Sequence, residues 1–345
     1  MQEKSILILG GTGAMGTSLV EILSHDDKYS VFVTTRQSNH NDYKNIKYII
    51  GNAREEAFIQ QVCSKKYDVI VDFMNYNLDE FENYHTALLN AADHYLFLSS
   101  CRVFSNAELI DESTPRLLET TNDTEFLKTN RYALRKAREE DILTNSPYNN
   151  WTIIRPYITY SNRRLQLGIY EKEEWLYRLL NNRPLILRKE ILDKYTTLTY
   201  GKDVALGIYN IINNEKSLGQ KINIVTEEYT TWQDILDKYK EVLNRELNIE
   251  PEIYYEENLD EIEMLFEGGY NTKYDRLWNR RFKNDKTKEY CGDIDYKKPL
   301  PGIEQCLVEL INDWKKGKEV FRTINSEYED KMNNLCNQKT KRKRW

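Results

Sequence analysis

Over the first 155 residues, short apolar runs alternate with stretches whose apolar positions recur every three to four residues. Ser5 to Leu9 suits a strand buried on both faces, and an amphipathic stretch follows it to Ser24. Further strands are expected at Tyr29 to Thr35, Lys47 to Ile50, Tyr67 to Phe73, His94 to Ser99 and Trp151 to Arg155. Helical periodicity fills Glu55 to Ser64, Asp79 to Ala92 and Thr124 to Leu143. This rhythm predicts an α/β fold, a Rossmann-type doubly wound parallel sheet, over residues 1–160.

Beyond that point the pattern loosens. Helices are expected at Glu171 to Leu180, Lys202 to Asn213, Thr231 to Leu243 and Ile303 to Lys316. A strand at Lys221 to Val225 should return to the sheet, and Glu250 to Pro301 reads as irregular. Residues 161–316 are thus expected to build mainly a smaller α/β substrate lobe, and 317–345 an extension ending in the basic tail KTKRKRW, read as disordered and solvated.

Composition narrows the class. A formal charge of −6 argues against nucleic-acid binding as the main role. Five cysteines without a Cys-x-x-Cys pair, and four histidines without His-x-x-x-His, give no disulfide framework and no metal site. The chain has no apolar run of bilayer length, and its N-terminal apolar run is too short for a signal peptide. A cytoplasmic protein without stable membrane association is expected.

Gly10-Gly-Thr-Gly-Ala-Met-Gly16 follows the first strand directly and opens a helix. Glycines there let the backbone turn tightly and approach a pyrophosphate at a helix N-terminus, so Gly10, Thr12, Gly13, Ala14, Met15 and Gly16 are candidate dinucleotide-binding residues. The second strand ends in Thr35 and Arg36 where an acid would select NAD. A guanidinium suits a 2′-phosphate, so NADP(H) is favoured over NAD(H), with a solvated Arg36 as the alternative. Tyr132 and Lys136, four apart, share a helix face. An ammonium beside a phenol favours the phenolate, which can then exchange a proton with a carbinol or carbonyl oxygen.

Further pieces follow in order: Gly51-Asn-Ala-Arg-Glu55, Ser99-Ser-Cys-Arg-Val-Phe104, Ile154-Arg-Pro156, Tyr200-Gly-Lys-Asp-Val-Ala205 and Ile222-Asn-Ile-Val225. With the glycine loop and the Tyr132/Lys136 pair, the chain resembles the extended short-chain dehydrogenase/reductase family, the nucleotide-sugar epimerases, dehydratases and ketoreductases. The resemblance implies Ser100, Tyr132 and Lys136 as the catalytic set. It places Asn52 and Ala53 near the adenine, Phe73 and Met74 along the cofactor channel, and Pro156 beside the cofactor. Ser100, Cys101 and Arg102 would face the substrate, and Arg163 and Arg164 could clamp a nucleotide-sugar diphosphate or lie in a solvated loop. A 4,6-dehydratase would carry Asp and Glu where Cys101 and Arg102 stand, so that activity is not expected. Cys101 reads as a packed polar residue at a strand end. Tyr270 to Asp285, aromatic and arginine-rich, either closes over the substrate or packs on the lobe.

The function this implies is an NADP(H)-dependent 4-ketoreductase of a nucleotide-linked sugar. The alternatives are a 4-epimerase with retained NAD(P), and a non-catalytic cofactor-sensing or RNA-binding relative. The resemblance also implies a homodimer through helices 79–92 and 124–143, with Leu88, Leu89, Leu127 and Leu134 as its apolar positions.

Overall fold

The computed structural model describes residues 3–13, 15–37 and 43–342. Strands β1 (Lys4–Leu9), β2 (Tyr29–Thr35), β3 (Ile46–Ile50), β4 (Tyr67–Asp72), β5 (Ala92–Leu98) and β6 (Trp151–Ile154) share one sheet with Lys221–Ile222. The spatial order is Lys221–Ile222, β6, β5, β4, β1, β2, β3, and every pairing is parallel. The order reverses between β1 and β4, the topological switch point where such sheets open a ligand crevice.

Both faces of the sheet are covered, and β1 shows why its sequence is uniformly apolar. Ile6 and Ile8 pack with Leu19 and Val20 of helix α1 (Gly16–Ser24) and with Val204 and Ile208 of the Gly201–Ile211 helix. Leu7 and Leu9 point the other way, towards Ile59 of α2 (Glu56–Val62) and Leu88 of α3 (Leu78–Ala91). Successive strand side chains alternate faces, so a strand buried twice has no polar phase.

The remaining chain builds a second core around Trp175, Trp232, Tyr239 and Leu307. Ile253–Glu256 pairs in parallel with Leu185–Arg188, so the stretch expected to be irregular carries a strand. The tail read as disordered differs in its first part: Lys339 to Arg342 end the Ser326–Arg342 helix, and 343–345 lie outside the described residues. Tyr328, Met332 and Cys336, spaced by four, bury one face of that helix, and Glu329 reaches Arg178 at 2.9 Å.

The long helix expected at 124–143 is broken. Thr124–Leu127 forms one turn and a new helix spans Tyr132–Thr144. Between them Thr129 caps locally, its N–H on the Phe126 carbonyl at 2.8 Å and its hydroxyl accepting from the Arg131 N–H at 3.3 Å. Tyr132 is therefore the first residue of its helix.

Three of the leucines assigned to a dimer interface are spent within the chain: Leu88, Leu89 and Leu134 are buried, and Leu127 packs partly buried against a small core with Phe126. The solvent face of α3 is instead Glu82, Asn83, Thr86 and Asn90. Among the described residues, no helix is long and apolar enough to cross a membrane.

Candidate functional site

The switch-point crevice is floored by the glycine loop. Gly10 adopts φ +69°, and a Cβ on Gly16 would lie 2.7 Å from the Gly11 Cα, so both positions demand glycine. The Gly10 N–H donates to Thr34 Oγ1 of β2 at 3.2 Å, tying the loop to the neighbouring strand. Thr12 is exposed and Gly13 and Met15 are partly so; Ala14 lies outside the described residues. Phe73 and Met74, directly after β4, flank Gly10, where an added Cβ would stand 3.1 Å from Met74 Sδ. This backbone cradle at a helix start fits a dinucleotide pyrophosphate.

At the outer end of the crevice, Thr35 is buried and its hydroxyl accepts from the Gln37 N–H at 3.1 Å, leaving Arg36 exposed. Asn52 accepts from the Arg54 N–H at 3.2 Å and donates to Glu55 at 3.1 Å, while Ala53 is buried.

On the opposite side of the crevice β5 runs into Ser99 and Ser100. Ser100 is buried and caps the Cys101–Val103 turn, its Oγ accepting from the Arg102 N–H at 3.2 Å. Pro156, also buried, accepts the Cys101 N–H at 2.9 Å and so ties that turn to the chain after β6. Tyr132 is half-buried, and its N–H donates to Glu267 Oε2 at 2.9 Å, an acceptor from the second half of the chain for a helix-start donor. The guanidiniums of Arg102 and Arg135 lie 5.1 and 5.7 Å from its ring centroid. Lys136 is buried, with its ammonium 2.8 Å from Glu139 Oε2 and 4.6 Å from the Phe97 ring centroid.

A second buried pair fixes this helix to the sheet. Arg155 forks onto Glu140 at 2.7 and 2.5 Å, and Ser99 donates to the same carboxylate at 2.6 Å. Burial pushes the Glu140 carboxyl up, but Arg155 and Ser99 together hold it below the usual range. Glu139 goes the other way: burial raises it and Lys136 offsets this only in part. Beneath the cofactor channel Asp72 accepts from Tyr95 Oη at 2.7 Å and from the Met74 N–H at 2.9 Å, yet complete burial raises its carboxyl to about 6.

The substrate-side candidates separate. Cys101 is fully buried, donates to the Arg155 carbonyl at 3.0 Å, and has its thiol pushed well up by burial, so it is a packed group. Arg102 lines a cleft with Tyr132, Phe126, Tyr270 and Asp275. Arg164 spends its fork on Glu171, at 3.2 and 2.9 Å, while Arg163 is exposed. Tyr270 and Tyr274 stack on Phe126 at 4.4 and 4.6 Å, which brings the aromatic segment against the Tyr132 helix.

Glu139, Glu267, Asp72 and Asp275 escaped sequence reasoning. Glu139 and Glu140 had a signal: both fall on the inward face of a helix that also buries Leu134, Ala137 and Leu143. Glu267 had none, because it meets Tyr132 across 135 residues of chain.

The model of the NAD dependent epimerase/dehydratase family matches residues 6–225. The chloroplast stem-loop binding protein of 41 kDa b from Arabidopsis thaliana is 26% identical over 248 residues, 68% of this chain and 61% of that protein. The chain thus spans less than two thirds of that relative's length. The UDP-N-acetylglucosamine 4-epimerase of Methanobrevibacter ruminantium, solved with UDP-N-acetylmuramic acid, superposes with a TM-score of 0.67 at 15% identity, covering 92% of this chain and all of that one. The Bordetella bronchiseptica enzyme WbmH, solved with NAD+, gives 0.67 at 15% identity over 90% of this chain and 99% of that one.

Proposed function

Because this chain belongs to the NAD dependent epimerase/dehydratase family, we propose that it is an NAD(P)-dependent oxidoreductase of a nucleotide-linked sugar, and specifically an NADP(H)-dependent 4-ketoreductase. The observation that carries the reading is Tyr132 at the first turn of its helix, one turn before the buried Lys136, with Arg102 of the Ser100-capped turn 5.1 Å from its ring centroid. A nicotinamide dinucleotide held on the glycine loop would supply hydride to the carbonyl carbon of a keto-sugar. Tyr132 holds the exchangeable proton for the sugar oxygen, and Ser100 donates a hydrogen bond to that oxygen. Lys136 serves the cofactor ribose and the phenol together. Arg36, with no acid at the end of β2, supports NADP(H).

A 4-epimerase is the second reading, supported by the likeness to an epimerase and to an NAD+ complex. Mass spectrometry of the ligand carried by freshly purified protein separates the two. Tightly retained NAD favours the epimerase, and an exchangeable NADP(H) site with turnover of a 4-keto nucleotide sugar favours the reductase. The likeness to a stem-loop binding protein supports a third, RNA-binding reading. Stem-loop RNA retention in a gel-shift assay, together with no turnover of any 4-keto nucleotide sugar, would establish it.

A further inference from the structure

Three arginines, Arg102, Arg276 and Arg280, surround Asp275, and of these Arg102 lines the cleft with Tyr132. Asp275 is buried: its Oδ1 accepts from Tyr157 Oη at 2.8 Å and from Arg280 Nε at 2.9 Å, while its Oδ2 is ion-paired with Arg276 and accepts no hydrogen bond. Arg280 is completed by the carbonyls of Phe104, Ser105 and Tyr274. Arg276 gives its Nε to the Gly168 carbonyl at 2.8 Å and lies over the Trp232 ring.

Arg102 is left over. Its nearest carboxylate oxygen, Asp275 Oδ2, stands 3.6 Å away, beyond hydrogen-bond length, and its Nε is buried with no acceptor. The other acid of the cleft, Glu267, accepts the Tyr132 N–H and offsets the Arg102 charge only in part. A guanidinium held out of water without a full counterion is costly, and burial pulls Arg102 below the usual arginine range. The side chain retains 18% exposure, on the cleft. Its guanidinium sits 5.1 Å from the Tyr132 ring centroid, so an anion bound by it lies close to Tyr132. A guanidinium fork matches the two oxygens of a carboxylate.

Resting on the nucleotide-sugar reading above, we propose that this cleft takes a carboxylate carried on the reacting sugar ring, and that Arg102 is the specificity-determining residue for it. A sugar diphosphate offers the same anionic chemistry, and the test separates the two.

Isothermal titration into protein saturated with NADPH would compare UDP, UDP-glucose, UDP-glucuronate, free glucose and free glucuronate, for the parent, Arg102→Gln and Arg102→Lys. A charge-assisted fork is worth about 10- to 100-fold in affinity. The expected result is that UDP-glucuronate binds at least tenfold more tightly than UDP-glucose, that Arg102→Gln abolishes the preference, and that Arg102→Lys keeps part of it. Equal affinity for the acid and neutral sugars in the parent overturns the proposal, and that measurement needs no variant to fold. An equal loss of UDP, UDP-glucose and UDP-glucuronate in Arg102→Gln also overturns it, by assigning Arg102 to the diphosphate. An Arg102-dependent preference for free glucuronate over glucose, with no binding of any UDP compound, upholds the carboxylate site and sinks the nucleotide reading instead.

Discussion

Lys136 and Glu139 lie one helical turn apart, both buried, with Nζ 2.8 Å from Oε2. The lysine that should serve the cofactor ribose therefore carries its own counterion inside the protein. Removing one partner of a buried ion pair strands the other, whereas replacing both by apolar groups restores most of the loss. Lys136→Met and Glu139→Leu should each destabilise the fold by about 3 kcal/mol. The Lys136→Met/Glu139→Leu double variant should recover most of that, as urea unfolding of the four proteins of the cycle would measure. Additive losses would show that the two groups do not share an interaction.

Asp72 gives a signed dependence on pH. Its carboxyl is raised from 3.8 to about 6, with burial the leading cause. Proton-linked stability from this group is then complete below about pH 4 and is lost as pH rises through 6. Asp72→Asn cannot titrate, so its stability relative to the parent should improve by up to ~3 kcal/mol between pH 4 and 7. Paired denaturation curves across that range would show it, and a flat difference would mean that burial does not perturb Asp72.

Tyr132→Phe keeps the ring between Arg102 and Arg135 and removes the exchangeable proton. Turnover of a 4-keto nucleotide sugar should fall about 10²- to 10⁴-fold with cofactor affinity nearly unchanged. Ser100→Ala should cost less, since it removes a hydrogen bond and leaves the proton donor in place. Turnover of Tyr132→Phe within twofold of the parent would remove Tyr132 from the chemistry.

The fold is legible where periodicity is strong. Ser5 to Leu9 and Tyr67 to Phe73 announce a strand buried on both faces, and the glycines of 10–16 announce the crevice. The helix break before Tyr132 is harder, because Leu127 and Leu134, seven apart, continue a helical spacing straight through it, while the bonds that interrupt it come from Thr129 and from Arg138 to the Leu127 carbonyl. Site residues close in sequence, such as Tyr132 and Lys136, can be paired by counting. The Asp275 cluster cannot, because Tyr157 and Asp275 meet across 118 residues.

Arg36 stands exposed directly after β2, where an acid would select NAD. Arg36→Ala should weaken NADPH at least tenfold and leave NADH within about twofold, a charge-assisted phosphate contact being worth roughly 1.5–3 kcal/mol. Fluorescence titration of both cofactors against both proteins reads this directly, and unchanged NADPH affinity would take Arg36 out of the site.

With Leu88, Leu89 and Leu134 buried and α3 presenting Glu82, Asn83 and Thr86 to solvent, the face expected to dimerise lacks an apolar seam. Glu82→Lys/Thr86→Lys, one helical turn apart on that face, should leave the sedimentation coefficient unchanged at micromolar concentration. A shift would show that a partner uses this face after all.

The hydrogen bond from the Tyr132 N–H to Glu267 bears on how such a chain can be re-engineered. Grafting the last third of a relative onto this nucleotide-binding half would look like a modular exchange of specificity. It would also remove the acceptor that holds the first turn of the helix carrying Tyr132, the proposed proton donor. A chimera would then inherit a new binding wall and a frayed proton donor together, so a recombinant lobe must bring its own carboxylate to the position of Glu267 before its selectivity can be judged.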